Sequence, residues 1–304
     1  MTPQRIILAG GNGFIGRALT LELRRRDYQV IILTRSPRPR NDDIKEIAWD
    51  GQNPGPWTQS LDGAAAIVNL AGHNINCPHT PANLALLTAS RVNSVRALAA
   101  ALPTLAQPPR VWVQASAIGY YGDTDDQICT ETSPADTGPL ADICCHWEDA
   151  FQAISEPRPR SVLLRIGFVL GRDGGALPVL NKLTRAFLGG AVGTGRQYIS
   201  WIHLADLTRM FVAALEEDLT GTYNAVGPNP VTNAAFMKTL RAAWHRPWSP
   251  PAPALAVRLG ARLIRSEGTL ALISSRCLPE RFSERRFQFE FPQLAPALHN
   301  LCHL

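Results

Sequence analysis

The sequence predicts an α/β fold, a doubly wound parallel sheet followed by a smaller C-terminal lobe, and three observations predict it. An apolar run at Arg5–Ala9 drives into a glycine-rich turn and then into a helical segment. Short apolar runs recur at 29–33, 65–70, 110–115 and 162–166, each of the kind found in a sheet covered on both faces. Helical spacing fills the intervals, so strands and helices alternate as parallel crossovers require.

The first turn is Gly10-Gly11-Asn12-Gly13-Phe14-Ile15-Gly16. A strand, a glycine turn and a helix in that order make a pyrophosphate-binding crossover of Rossmann type. Gly10 turns the chain sharply, Gly13 removes a side chain that would hold a phosphate off the backbone, and Gly16 lets helix and strand pack closely. An anion then rests on the amides of the helix N-terminus. The second strand ends in Thr34-Arg35-Ser36-Pro37, about twenty residues past the turn, where an NAD enzyme places an acid on the ribose hydroxyls. Arg35 stands there instead. A guanidinium clamps a 2′-phosphate through paired charge-assisted bonds, and Arg38 and Arg40 continue the basic stretch, so NADP(H) is favoured over NAD.

Farther along, residues 82–102 are rich in Leu and Ala with Arg91 and Arg96 on the polar side, and Leu140, Ile143, Trp147, Phe151 and Ile154 recur at helical spacing over 140–154. Past about residue 170 glycines punctuate the chain and the alternation loosens. The expected division is a cofactor-binding domain over 1–170, rejoined by about 196–230, and a cap or substrate lobe over 171–304. The proline-dense stretch 247–253 reads as a stiff connector to a small helical segment, and residues 287–291 alternate like a final strand.

Of the 304 residues 45% are hydrophobic and 18% charged, which excludes disorder, and no apolar stretch approaches the roughly 20 residues of a membrane span. The N-terminus reads as a strand and not as a signal peptide, so a cytoplasmic protein without a membrane partner is expected. Net charge is +5. The arginines nevertheless form no single stripe: Arg24, Arg25 and Arg26 end the first helix while Arg281, Arg285 and Arg286 lie far away, and with no reading motif a nucleic-acid partner is not expected. The six cysteines, at 77, 129, 144, 145, 277 and 302, lack zinc or dithiol spacing, so no metal is expected, and the adjacent Cys144 and Cys145 are expected to be small buried or half-buried residues that stay reduced.

Several phrases together resemble the extended short-chain dehydrogenase/reductase superfamily: the glycine turn, Val68 to Gly72, Ser116 to Gly122 and Leu164 to Gly167. A narrower likeness, to the atypical "epimerase family protein" group with a C-terminal DUF1731 segment, rests on Ser90-Arg91-Val92, Gly119 to Asp123, Gly174 to Leu177, Ser200 to His203 with Asp206, and Val231-Thr232-Asn233. It covers nearly the whole chain, with the DUF1731-like part from about residue 247. The resemblance implies that Leu70, Ala71 and Gly72 pass beneath the adenine and ribose side of the cofactor, that Thr34 and Arg35 meet the adenosine phosphate, and that Arg91 reaches the cofactor. It also allows a homodimer.

Ordinary members use a Tyr-x-x-x-Lys pair, because a phenol with a pKa of about 10 needs a neighbouring ammonium to exchange protons near neutrality. Here the residues four past Tyr28, Tyr120, Tyr121, Tyr198 and Tyr223 are Ile32, Thr124, Asp125, Ile202 and Gly227. The resemblance places Leu140 and Cys144 at the pair's positions and Ala117 at the usual serine, leaving Ser116 one residue early. The candidate catalytic groups are therefore Ser116, Tyr120, Tyr121 and His203, the last as an imidazole that titrates near neutral pH or as a brace at its junction. Arg165 is a candidate to anchor substrate or to brace the loop after its strand, and Trp201 is a candidate substrate contact. Two functions stay open: hydride transfer on a small carbonyl or sugar-like substrate, and a non-catalytic NADPH-binding sensor.

Overall fold

A computed structural model of the chain describes residues 3–42, 44–156, 158–254 and 268–303. β1 (Arg5–Ala9), α1 (Phe14–Arg25), β2 (Gln29–Thr34) and β3 (Lys45–Ala48) lead to β4 (Ala66–Asn69), α2 (Pro81–Ala101), β5 (Val111–Ala117) and β6 (Ile128–Cys129). After α3 (Pro139–Gln152), β7 (Arg160–Ile166) and β8 (Phe168–Leu170) come α4 (Leu177–Arg185), β9 (Tyr198–Ile199) and β10 (Trp201–His203). The chain then runs through α5 (Leu204–Glu216), β11 (Gly221–Ala225), β12 (Val231–Thr232) and α6 (Asn233–Ala243). β13 (Arg276–Cys277), α7 (Glu280–Glu284) and α8 (Leu294–His303) complete the described elements.

Seven strands form one sheet in the order β11-β7-β5-β4-β1-β2-β3, every neighbouring pair parallel. Strand order reverses between β1 and β4, so the crevice outside their carboxyl ends is the place where ligands collect in open α/β sheets. Ile6, Ile7, Leu8 and Ala9 are wholly buried because helices cover both faces, α1 packing with α5 and α2 with α3. Local chemistry fixes the helix starts. Thr80 accepts from the Asn83 amide ahead of Pro81 to open α2, Thr232 does the same for α6, and Arg24 and Arg25 fall in the last turn of α1, where cations suit the dipole.

A second core, of Leu170, Leu177, Trp201, Phe236, Leu240 and Leu298 among others, joins α4, β10, α6 and α8. Three two-stranded pairings lie outside the main sheet: β8 with β10, β9 with β12 and β6 with β13. The C-terminal segment folds back across the whole molecule. Arg281 of α7 donates to the carbonyls of Thr220 and Thr222 along the outer side of β11, and Glu131 accepts the Asn224 amide there.

One expectation is corrected. Residues 287–291 form no strand: the Glu290 and Phe291 amides donate to the buried Asp206 carboxylate at 2.7 and 2.9 Å, while the Phe287 and Phe289 rings pack on the main core. The stretch 247–253, expected as a stiff connector, is tied to the loop after α4, where Ala252 donates to the Ala191 carbonyl and accepts from the Gly193 amide. The helical continuation expected after it falls largely on 255–267, outside the described residues.

Candidate functional site

The glycine turn lies at the crevice between β1 and β4. Gly10 has φ +80°, and a Cβ there would stand 2.9 Å from the Leu70 carbonyl, so the residue must be glycine for both conformation and space. Gly13 caps α1 without a side-chain acceptor, and no acid occupies the first turn. The first amides of the helix therefore keep their unmatched donor character. Around them the side chains are structural: Ile15 packs on the core, and the Phe14 ring sits where Cβ atoms on Gly171 or Gly174 would come within 2.4–2.6 Å. Arg17 ties this arrangement together, donating to the Asn12 carbonyl at 3.0 Å and to the Asp173 carbonyl at 3.3 Å.

At the end of β2, Thr34 is half-buried and Arg35 is exposed, with no partner among the described residues. Arg40, in the basic stretch that follows, is paired. Asp42 grips it bidentately at 2.7 and 2.8 Å and Glu46 adds a bond at 3.2 Å, which neutralises its charge locally.

Past β4, the buried Asn69 shapes the turn: its Oδ1 accepts the Ala71 amide at 3.0 Å while its Nδ2 donates to Ser94 and Gln114. Leu70, Ala71 and Gly72 are thereby held beside Gly10. A Cβ on Gly72 would meet the Arg91 guanidinium at 3.3 Å. That guanidinium lies 5.1 Å from the centre of the Trp147 ring and donates to Leu87, with no carboxylate partner among the described residues; burial lowers its pKa.

The ends of β5 and β7 carry a buried polar network. Alternation along β5 turns Trp112, Gln114 and Ser116 to the face covered by α3, and there the Ser116 hydroxyl donates to Glu148 Oε1 at 2.6 Å. Arg165 clamps the same carboxylate through Nε at 3.0 Å and Nη2 at 2.8 Å, and its Nη1 donates to the Tyr121 hydroxyl at 2.9 Å. Tyr121 passes its own proton to Asn224 Oδ1 at 2.8 Å. Burial drives the Tyr121 pKa up, and Arg165 only partly offsets this. Tyr120 differs: it is half-buried, its ring centre is 3.4 Å from the Arg165 guanidinium, and its hydroxyl bonds to no described residue.

The two candidate substrate contacts, Arg165 and Trp201, both lie inside the protein. Arg165 is 4% exposed with its donors committed inside the protein. Trp201 is 0% exposed in the second core, its Nε1 donating to the Asn229 carbonyl. His203 does not join Ser116 and the tyrosines: its Nδ1 caps α5 by accepting the Ala205 amide at 3.1 Å, its ring stacks on Phe291, and it lines a groove of about 650 Å³ between α1, α5 and α8. Burial lowers the His203 pKa, and Asp206 partly offsets that. Leu140 and Cys144, which the resemblance sets at the positions of the ordinary catalytic pair, are packing side chains: a Cβ on Gly119 would lie 3.6 Å from Cys144 Sγ and 3.8 Å from Leu140 Cβ, and burial pushes the Cys144 thiol up to about 12.

Sequence reasoning missed Glu148 and Asn224. Glu148 had a visible signal, since it falls with Cys144, Trp147 and Phe151 on the buried face of α3, where a carboxylate needs a partner.

Residues 6–226 match the NAD dependent epimerase/dehydratase family and residues 252–301 match a domain of unknown function, DUF1731. The chain is 34% identical over 302 residues to the human epimerase family protein SDR39U1, covering 98% of this chain and 99% of that protein. It is 36% identical over 295 residues to the epimerase family protein Mb2239 of Mycobacterium bovis, with 96% of each covered. The crystal structure of human SDR39U1 (isoform 2) with NADPH superposes with a TM-score of 0.88 at 33% identity, over 99% of this chain and 100% of that one. A nucleoside-diphosphate sugar epimerase from Corynebacterium glutamicum gives 0.80 at 32% identity, over 99% of this chain and 59% of that one. With the glycine turn at the switch point, the seven-stranded parallel sheet and these matches across almost its full length, the chain belongs to the NAD-dependent epimerase/dehydratase family.

Proposed function

We propose that the chain binds NADP(H) across the carboxyl edge of its sheet and acts as an epimerase-like oxidoreductase on a small carbonyl or sugar-like substrate. One observation carries this: a glycine-lined, uncapped helix start at the switch point, with Arg35, unpaired among the described residues, just past the neighbouring strand. The residues fit the cofactor. Gly10 to Gly16 give the diphosphate backbone amides, Arg35 meets the 2′-phosphate with Thr34 beside it, Leu70 to Gly72 lie under the adenosine, and Arg91 supplies a cation beyond Gly72. The NADPH held by the human relative supports the same assignment. Bound there, the nicotinamide supplies reversible hydride transfer.

Tyr120 is the proton donor and acceptor in this reading. Ser116 and Tyr121 already donate their hydroxyl hydrogens to Glu148 and Asn224 in hydrogen bonds, so the Ser116 oxygen retains acceptor character only. Titration with NADPH and NADH tests the cofactor. Arg35→Ala should remove a charge-assisted contact of about 1.5–3 kcal/mol, roughly 10- to 150-fold in NADPH affinity, and leave NADH unchanged. Equal wild-type affinities would overturn the 2′-phosphate assignment.

One observation favours a second function, the non-catalytic NADPH sensor: Leu140 and Cys144 fill the ordinary catalytic positions with groups unable to relay a proton. NADPH consumption over a panel of carbonyl compounds, abolished by Tyr120→Phe, selects the enzyme. Tight binding without turnover selects the sensor.

A further inference from the structure

Cys129 and Cys277 are far apart in sequence and directly paired in the fold. They occupy matching positions on β6 and β13, two parallel strands whose register sets Cys277 against Cys129, and Leu278 donates to the Cys129 carbonyl at 2.9 Å. Side chains of register partners on parallel strands leave the same face. Neighbouring strands lie about 4.8 Å apart, within the roughly 4.4–6.8 Å a disulfide spans between Cα atoms. Both residues are buried, at 5% and 0% exposure, and they form one small cluster with Tyr121 and Val226, against which Tyr120 packs.

The geometry points to a dithiol site: we propose that hydroperoxides oxidise Cys129 and Cys277 to a disulfide, which fastens the C-terminal segment to β6, beside the packed ring of Tyr121. This does not rest on the cofactor assignment. The two sulfurs are unequal, because the Cys277 thiol donates to Cys129 and draws it below the ordinary thiol range against the opposing effect of burial, while the same bond and burial push Cys277 up. Cys129 is accordingly the nucleophile. Its thiolate attacks a peroxide oxygen, the O–O bond breaks, and the departing oxygen leaves as water or alcohol after taking a proton. The resulting sulfenic acid is attacked by the Cys277 sulfur; the S–S bond forms, the S–O bond breaks, and a second water carries away the Cys277 proton. Two thiols lose two electrons and the peroxide gains them.

Access comes through β6 and β13 themselves, each two residues long and therefore prone to local opening. Ser200 holds the register on reclosure, its Oγ accepting the Cys277 amide at 2.7 Å and donating to the Ser275 carbonyl at 2.7 Å.

The test uses the purified full chain treated with hydrogen peroxide, alkylated after denaturation and digested for mass spectrometry. The expected product is a peptide pair joining Cys129 to Cys277, two hydrogens lighter than its reduced parts, with two of the six thiols lost from titration and recovered with dithiothreitol. Cys277→Ser, close in size, should leave Cys129 as a sulfenic acid trapped by dimedone. The proposal is overturned if both cysteines of the treated wild type remain alkylatable, or if Cys129 is over-oxidised while Cys277 stays free. The wild-type measurement stands even where the variant does not fold.

Discussion

At 2.6 Å from Glu148, the Ser116 hydroxyl has a single proton and it is already committed, so the chemistry of this edge is decided by which groups remain free. Glu148, at 2% exposure, compensates Arg165 within the interior. Removing one partner of such a pair leaves a buried charge alone, and Glu148→Ala should cost about 3–5 kcal/mol in a denaturant titration. A buried imidazole gives a second expectation at this scale. His203 titrates below the ordinary 6.5 in the folded chain, so between those two pKa values the unfolded chain holds the extra proton. The His203 contribution to stability is complete above the ordinary imidazole pKa and declines as pH falls through the folded one. His203→Asn keeps a helix-capping oxygen, and its melting temperature should be flatter than the wild type's over that window.

Among the elements, β1, α1, β2, β4, β5 and β7 were legible because continuous apolar runs and helical periods report burial on a parallel sheet, whatever the distant contacts. β3 was not: Lys45-Glu46-Ile47-Ala48 is short, half polar and at the sheet edge, so only pairing with β2 defines it. Residues 287–291 misled for the opposite reason, since an alternating aromatic pattern matches a strand while its amides end on a carboxylate some eighty residues earlier, at Asp206. Asp206→Ala should leave the Glu290 and Phe291 amides without their buried acceptor and cost about 1.5–3 kcal/mol, with Asp206→Asn recovering part of it, measured by thermal or denaturant unfolding. The glycine turn was readable for the cofactor, whereas its dependence on Phe14 was not. A methyl on Gly174 would lie 2.4 Å from that ring, so Gly174→Ala should cost about 1–3 kcal/mol and weaken NADPH binding by displacing the start of α1.

For the molecule as a whole, the DUF1731 part is woven into the rest. β13 pairs with β6, α8 packs on α6, and Asn224 of the main sheet donates to the Leu278 carbonyl. The sequence divided cofactor domain from cap by a change in rhythm, a signal blind to contacts spanning a hundred residues or more. Glu148, Tyr121 and Asn224 come from three elements, and no spacing rule connects them. A chain ending before residue 252 would expose Phe236, Leu240 and Trp201 of the second core. It should lose cooperative unfolding and, with it, the arrangement around Tyr120.

β11 is the last strand of the sheet, and an uncovered last strand invites another chain to continue the ladder. Here two carbonyls on that flank are taken by the fork of one arginine and an amide by Glu131, so side chains satisfy what a foreign strand would otherwise seek. Arg281→Ala should reopen the seam, and light scattering at elevated temperature should show earlier aggregation with little change in the secondary structure of the monomer.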